Sequence, residues 1–126
     1  MAASRAARQR CPDGPLWFAG FSFGAAIAIA AAAEADADGL VSVAPAVSRV
    51  KGSSANQPAC PWLIVQGEED DLVPVDDTIA WVNDLDPGPE LRIFESTEHF
   101  FHGQLVPLRK AVESFITEHT AAPRES

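Results

Sequence analysis

Three short segments carry side chains whose types and spacing could together do nucleophilic acyl chemistry. GFSFG (20–24) sets Ser22 between two glycines, GEEDDLVP (67–74) sets Glu68, Glu69, Asp70 and Asp71 just past Gly67, and STEHFFHGQL (96–105) sets His99 and His102 around Phe100 and Phe101. A serine hydroxyl is a weak nucleophile until an imidazole takes its proton, and the imidazole works best when a carboxylate fixes its tautomer and stabilises the imidazolium. Each segment alone has an ordinary reading. Gly and Ser make turns, acidic loops are solvated, and a loop histidine is usually a hydrogen-bonded structural residue. The joint order is more specific: serine, then acid, then histidine, each directly after an apolar run, is the chain order of a Ser-His-Asp triad carried on a parallel sheet.

The elements that must position these residues can be read from the flanking sequence. Residues 15–20, PLWFAG, form a continuous apolar run, the pattern of a strand covered on both faces. Residues 23–35 carry mostly small or aliphatic side chains, which lets a helix lie close against a sheet; this helix is expected to be largely buried and to end in EADAD before Gly39. Between them, glycines at 20 and 24 admit a strained turn and a close strand-to-helix approach, with the serine oxygen at the helix N-terminus, where the dipole and backbone N–H groups favour an oxyanion. LVSVAPAV (40–47) and PWLIVQG (61–67) predict two further strands. The connector 48–60 has no helical period, so no lid domain is expected there. A helix over 75–85 is predicted with Val75, Ile79 and Val82 on one face and Asp76 and Asp77 in its first turn, ended by DPGP. LRIFES (91–96) predicts a fourth strand, and a last helix should turn Leu105, Leu108, Val112, Phe115 and Ile116 inward. Residues 2–10 read as the end of a helix stopped by CPDGP, and AAPRES as a frayed tail. Strands separated by helices at this spacing predict an α/β three-layer sandwich, a single domain over 1–126 with a mostly parallel sheet of about four strands. In such sheets ligands bind beyond the carboxyl ends of the strands, where all three segments fall.

Composition narrows the partners. Nine basic against eighteen acidic residues give the 126-residue chain a formal charge of −9, which argues against nucleic acid and anionic membrane surfaces. The most apolar stretch, Ala25 to Ala33, is too short to span a bilayer, and Arg5, Arg8 and Arg10 precede no apolar signal core, so a soluble cytoplasmic protein is expected. Cys11 and Cys60 form no C-x-x-C pattern and are expected as free thiols, with Cys60 a small buried hydrophobe rather than a reactive group. No metal site or cofactor is indicated.

GFSFG (20–24), G-x-x-D-x-x-V-P (67–74) and H-F-F-H-G (99–103) together resemble the C-terminal half of α/β-hydrolase superfamily members. They are close to the small capless bacterial hydrolases related to serine aminopeptidase-like and dienelactone hydrolase-like proteins, and the resemblance covers almost the whole chain. It implies Ser22 as nucleophile, His99 as base and Asp70 as acid, the Gly67-x-x-Asp70 spacing selecting Asp70 over Asp71 and Glu69. It also implies that the backbone N–H of Phe23 serves the oxyanion while its side chain lines the pocket. The serine departs from the cysteine nucleophile of dienelactone hydrolases proper. His102 and His119 are expected to be structural, at the start and the C-terminal end of the last helix, and Trp17, Trp62 and Trp81 to lie in the core or its rim. The implied reaction is cleavage of an ester, thioester or small amide of a small-molecule acyl substrate through an acyl-enzyme, with no cofactor.

The resemblance further implies that the chain carries the last four of the family's eight strands. The loop supplying the second oxyanion donor would then lie outside it, as in an N-terminally truncated domain, and strand 15–20 would become an exposed edge able to pair with another copy. The alternative expectation is a truncated, catalytically impaired remnant acting as a self-associating or partner-binding module.

Overall fold

The computed structural model describes residues 16–48, 58–85 and 88–121. Strand and helix alternate along them as β1 (Trp17–Phe21), α1 (Phe23–Ala35), β2 (Gly39–Val43), β3 (Trp62–Gly67), α2 (Val75–Asn83), β4 (Glu90–Phe94) and α3 (Leu105–Ala121). The strands pair in the order β1-β2-β3-β4, every pairing parallel. Phe21 is opposite Val43, Val43 opposite Val65, and Gly67 opposite Phe94. This register brings the carboxyl ends of β1, β3 and β4 to one edge, so the loops that begin at Ser22, Glu68 and Glu95 leave the sheet side by side.

Alternation along each strand divides the core into two layers. Phe18, Leu40, Trp62 and Ile64 face α1 and α2, packing with Ala28, Ile29, Ala32 and Trp81. Trp17, Val41, Leu63 and Val65 face α3 and pack with Phe115, Leu108, Val112 and Ile116. The three-layer α/β sandwich expected from the run pattern is therefore present, with all four described strands parallel. All three tryptophans belong to the core: the Trp62 and Trp81 rings meet edge to face with centroids 5.7 Å apart, and Trp17 meets Phe115 at 5.9 Å. Trp62 Nε1 also donates to the buried Ser42 hydroxyl at 3.0 Å, which satisfies both groups inside the sheet layer.

Several expectations are corrected. The second strand ends at Val43 rather than at residue 47, because Ala44 takes a positive φ of 48° and turns the chain toward the end of β1. There the Ala46 N–H donates to the Ser22 carbonyl at 3.2 Å. Helix α1 is buried along one stripe, Ala25, Ala28, Ile29 and Ala32, rather than largely buried. Helix α2 stops at Asn83 and turns Thr78 and Trp81 into the core, whereas Val75, Ile79 and Val82 are only half-buried. Val82 still packs against the core cluster on this side; what a reading by hydrophobicity overlooks is Thr78, the more buried of the two inward residues, because it is a threonine. Leu105 is 63% exposed at the first position of α3, beyond the sheet that shelters the later turns. The readings over residues 2–11, most of the 48–60 connector and the tail lie outside the described residues.

Candidate active site

The turn from β1 into α1 has to be sharp. Ser22 sits at the N-cap of α1 with φ 57° and ψ −118°, a conformation that a non-glycine residue holds at a cost of about 1–3 kcal/mol. Neighbouring backbone over-determines it: the Ser22 N–H donates to the Val43 carbonyl at 2.8 Å, and the Ala25 N–H donates to the Ser22 carbonyl at 3.0 Å. Gly20 makes the approach possible, since a Cβ there would run into the Gly24 carbonyl and lie 2.8 Å from Ala25 Cα. The serine oxygen is thus presented at the helix N-terminus on a backbone that has little freedom to move.

His99 reaches this oxygen from the loop after β4. Its Nε2 lies 3.1 Å from Ser22 Oγ, and its Nδ1 lies 2.6 Å from Asp70 Oδ2. A carboxylate only accepts, so Nδ1 carries the proton, and in the neutral ring Nε2 is left as an acceptor facing the serine hydroxyl. His99 is 2% exposed and Asp70 6%. Burying a carboxylate is costly unless its oxygens are partnered. Here Oδ1 accepts the backbone N–H groups of Leu72 at 2.8 Å and Val73 at 2.7 Å, and Oδ2 accepts Gln66 Nε2 at 3.2 Å in addition to His99. The structure therefore brings Ser22, His99 and Asp70 together and leaves the other acids of the cluster elsewhere. Glu69 and Asp71 are exposed. Glu68 accepts the Ser96 N–H at 3.1 Å and ties the acid loop to the end of β4.

The histidine loop is braced by its own carboxylate. Glu98 accepts the backbone N–H of His102 at 2.6 Å and that of Phe100 at 2.9 Å. The His102 N–H foremost, then the Phe100 N–H, hold the Glu98 carboxyl below its ordinary value of 4.5. Phe101 is buried at a positive φ of 57°, its ring 5.5 Å from Phe94, and anchors the loop to the sheet. His102 does not begin α3; it stands exposed before the helix, its Nδ1 3.4 Å from Glu98 Oε1. His119 occupies the last turn of α3, its Nδ1 2.9 Å from the Phe115 carbonyl. Around the Ser22–His99 pair lie aromatic rings: Phe21 and Phe100 have centroids 5.1 and 5.0 Å from the His99 ring. Phe23, the first residue of α1, is 52% exposed.

Sequence reasoning missed Gln66 and Thr78. Both are fully buried, with Thr78 Oγ1 donating to Gln66 Oε1 at 3.1 Å and Gln66 Nε2 donating to the Val73 carbonyl at 2.9 Å. The available signal was a glutamine inside an otherwise apolar strand run, WLIVQG. Among the described residues no group of three or more His, Cys, Asp and Glu could hold a metal ion, and no helix is long and apolar enough to cross a membrane. Burial raises the Cys60 thiol above its ordinary value, which argues against a reactive thiolate there.

No curated protein matches the chain. Among solved structures, an α/β serine hydrolase homologue from Coxiella burnetii shares 41% identity and a TM-score of 0.71, the match covering 77% of this chain and 47% of that one. An α/β serine hydrolase without a lid from Xanthomonas campestris shares 37% identity and a TM-score of 0.80, covering 88% of this chain and 50% of that one. Acyl-protein thioesterase 2 from Zea mays, at 17% identity and a TM-score of 0.62 over 90% of this chain and 62% of that one, shares the fold alone. The chain spans about half the length of the two serine hydrolases. A family model matches residues 2–122, nearly end to end and through all three site loops, and by that match the chain belongs to the dienelactone hydrolase family.

Proposed function

We propose that this chain carries the catalytic triad of a serine hydrolase that cleaves an ester, thioester or small amide of a small-molecule acyl substrate. The observation behind this reading is one imidazole bridging both partners, His99 at 3.1 Å from Ser22 Oγ and 2.6 Å from Asp70 Oδ2. As Ser22 Oγ attacks the acyl carbon, His99 Nε2 takes its proton, and Asp70 stabilises the imidazolium that forms. The bond from the acyl carbon to the leaving group then breaks, and His99 returns the proton to the departing alcohol, thiol or amine. Water attacks the acyl-enzyme with His99 again as base, releasing the acid and restoring Ser22. The backbone N–H of Phe23, the residue directly after the nucleophile and the first of α1, would serve the oxyanion that develops. The rings of Phe21 and Phe100 offer the acyl group an apolar surface beside the reacting atoms.

A fluorophosphonate probe tests the assignment. It should label Ser22, identified by mass spectrometry of the modified peptide; Ser22→Ala should abolish labelling, and His99→Ala should slow it by about 100- to 10,000-fold. Labelling that persists in the Ser22→Ala protein would place the reactive group elsewhere. A second reading is favoured by one observation: among the described residues β1 has a strand neighbour on one side only. By that reading the chain associates with a second copy through β1, whether or not it turns over substrate.

A further inference from the structure

The hydrogen-bond path through the site does not stop at the acid. From Ser22 it runs through His99 and Asp70 to Gln66 on β3 and Thr78 on α2, linking the nucleophile to a helix on the far side of the acid loop. We infer that Gln66, locked by Thr78, is a positioning residue that sets the orientation of the Asp70 carboxylate and through it the His99 ring; this rests on the serine hydrolase reading above.

Chemistry fixes which way the Gln66 amide points. One end faces the Val73 carbonyl at 2.9 Å and an Asp70 oxygen at 3.2 Å, both acceptors, so that end must be the nitrogen with its two hydrogens. The other end faces the Thr78 hydroxyl, which donates to Gln66 Oε1 at 3.1 Å. No flipped arrangement satisfies all three contacts. Both side chains are fully buried, so water does not compete for these bonds.

The consequence for Asp70 follows from which oxygen each donor takes. Oδ1 is held by the Leu72 and Val73 N–H groups of its own loop. These fix the position of one oxygen but leave the carboxylate free to tilt about it. Gln66 Nε2 takes Oδ2, the same oxygen that accepts His99 Nδ1–H, and so defines the plane in which Oδ2 meets the imidazole. By also holding the Val73 carbonyl, the amide ties the 67–73 loop to β3, so that the acid and the end of its loop share one anchor. Small displacements of a catalytic pair are expensive: a misplacement of about 1 Å can cost on the order of 100-fold in rate. A buried glutamine in a strand that is otherwise apolar is an unfavourable choice for stability alone, and it is explained by this role.

The test uses the 126-residue chain and two readouts: the low-field proton resonance of His99 Nδ1–H by NMR, and the pH profile of fluorophosphonate labelling at Ser22. Gln66→Met keeps volume and removes every polar contact, Thr78→Val removes only the hydroxyl, and Thr78→Ser keeps it. The expected result is a resonance in the native chain that is shifted upfield or lost to exchange in Gln66→Met. Labelling of that variant should be slower by about 10- to 100-fold, with a displaced pH midpoint. Thr78→Val should show a smaller change of the same kind, and Thr78→Ser should restore native behaviour. A folded Gln66→Met protein with the native resonance and pH profile overturns the inference, even if it melts earlier, since that is what a merely structural glutamine would do. If Gln66→Met fails to fold, the threonine pair decides: Thr78→Val indistinguishable from native overturns the inference. Absence of the resonance from the native chain also overturns it. No labelling of the native chain, with the resonance present and responding to the variants, would instead defeat the serine hydrolase reading and leave the positioning role standing.

Discussion

Gly67 lies directly against the Thr97 carbonyl, so that the acid loop and the histidine loop touch through backbone. A Cβ at position 67 would run into the Thr97 oxygen and lie 2.9 Å from its carbonyl carbon and 3.0 Å from the Glu98 oxygen. The Glu69 N–H meanwhile donates to the Thr97 carbonyl at 2.8 Å. Close contact here is what allows Asp70 to reach His99 across two neighbouring strands. Gly67→Ala is therefore expected to destabilise the fold by about 1–3 kcal/mol, as overpacking does. It should also slow labelling of Ser22, because the loops must part. Denaturant unfolding and labelling kinetics check it; native values for both would show that the loops adapt without cost.

Asp70 should be separable from its acidic neighbours by substitution. Asp70→Asn keeps the shape but lets the amide present the wrong partner to Nδ1, and it is expected to lower labelling by about 10,000-fold, as loss of the tautomer does in such triads. Asp71→Asn and Glu69→Gln alter exposed side chains and should leave the rate within about twofold, the ordinary range for surface changes. A larger loss for Asp71→Asn than for Asp70→Asn would reverse the assignment of the acid.

Glu98 carries a pH dependence with a definite sign. Its carboxyl is held below its ordinary value of 4.5, first by the His102 N–H and then by the Phe100 N–H. A depressed acid contributes stability that is fully present above its unfolded value and is lost as the pH falls through the lower folded value. Glu98→Gln should remove that contribution, so the difference in unfolding midpoint between native and variant protein should be full above the ordinary carboxyl value of 4.5 and shrink as the pH falls below it through the lower folded value. A difference that stays constant over this window would mean that the carboxylate charge does nothing for the loop.

Self-association through β1 is open to direct measurement. The strand pairs only with β2 among the described residues, its Ala19 is exposed, and Phe21 at its end is 41% exposed. An unprotected apolar edge recruits another strand, and a lysine placed on it opposes such pairing. Light scattering of the 126-residue chain is expected to show a dimer or larger species, and Ala19→Lys to shift it toward monomer. A native chain that is monomeric at high concentration would count against an open edge.

The sequence by itself determined the order of the elements, the parallel sheet and the three loops that meet at its edge. Those features are local: a continuous apolar run such as WLIV (62–65) calls for cover on both faces, and a serine between glycines at a strand-to-helix junction calls for a sharp turn. Tertiary structure decided what depends on partners distant in sequence. Asp70 and Asp71 are chemically alike and adjacent. Motif spacing singles out the first, but only the parallel register of β3 and β4, with Gly67 opposite Phe94, places it against a histidine 29 residues away. Thr78 on the inward side of α2 was hidden for the same reason, because a threonine adds nothing to an apolar pattern and its burial is explained only by its hydrogen bond to Gln66. The end of β2 was hidden as well: LVSVAPAV is apolar but for Ser42, and its turn at Ala44 is held by the Val65 carbonyl on one side and, through the Ala46 N–H, by the Ser22 carbonyl on the other. Hydrophobic pattern reports which residues leave water; hydrogen bonds between segments far apart in the chain choose the atoms they meet.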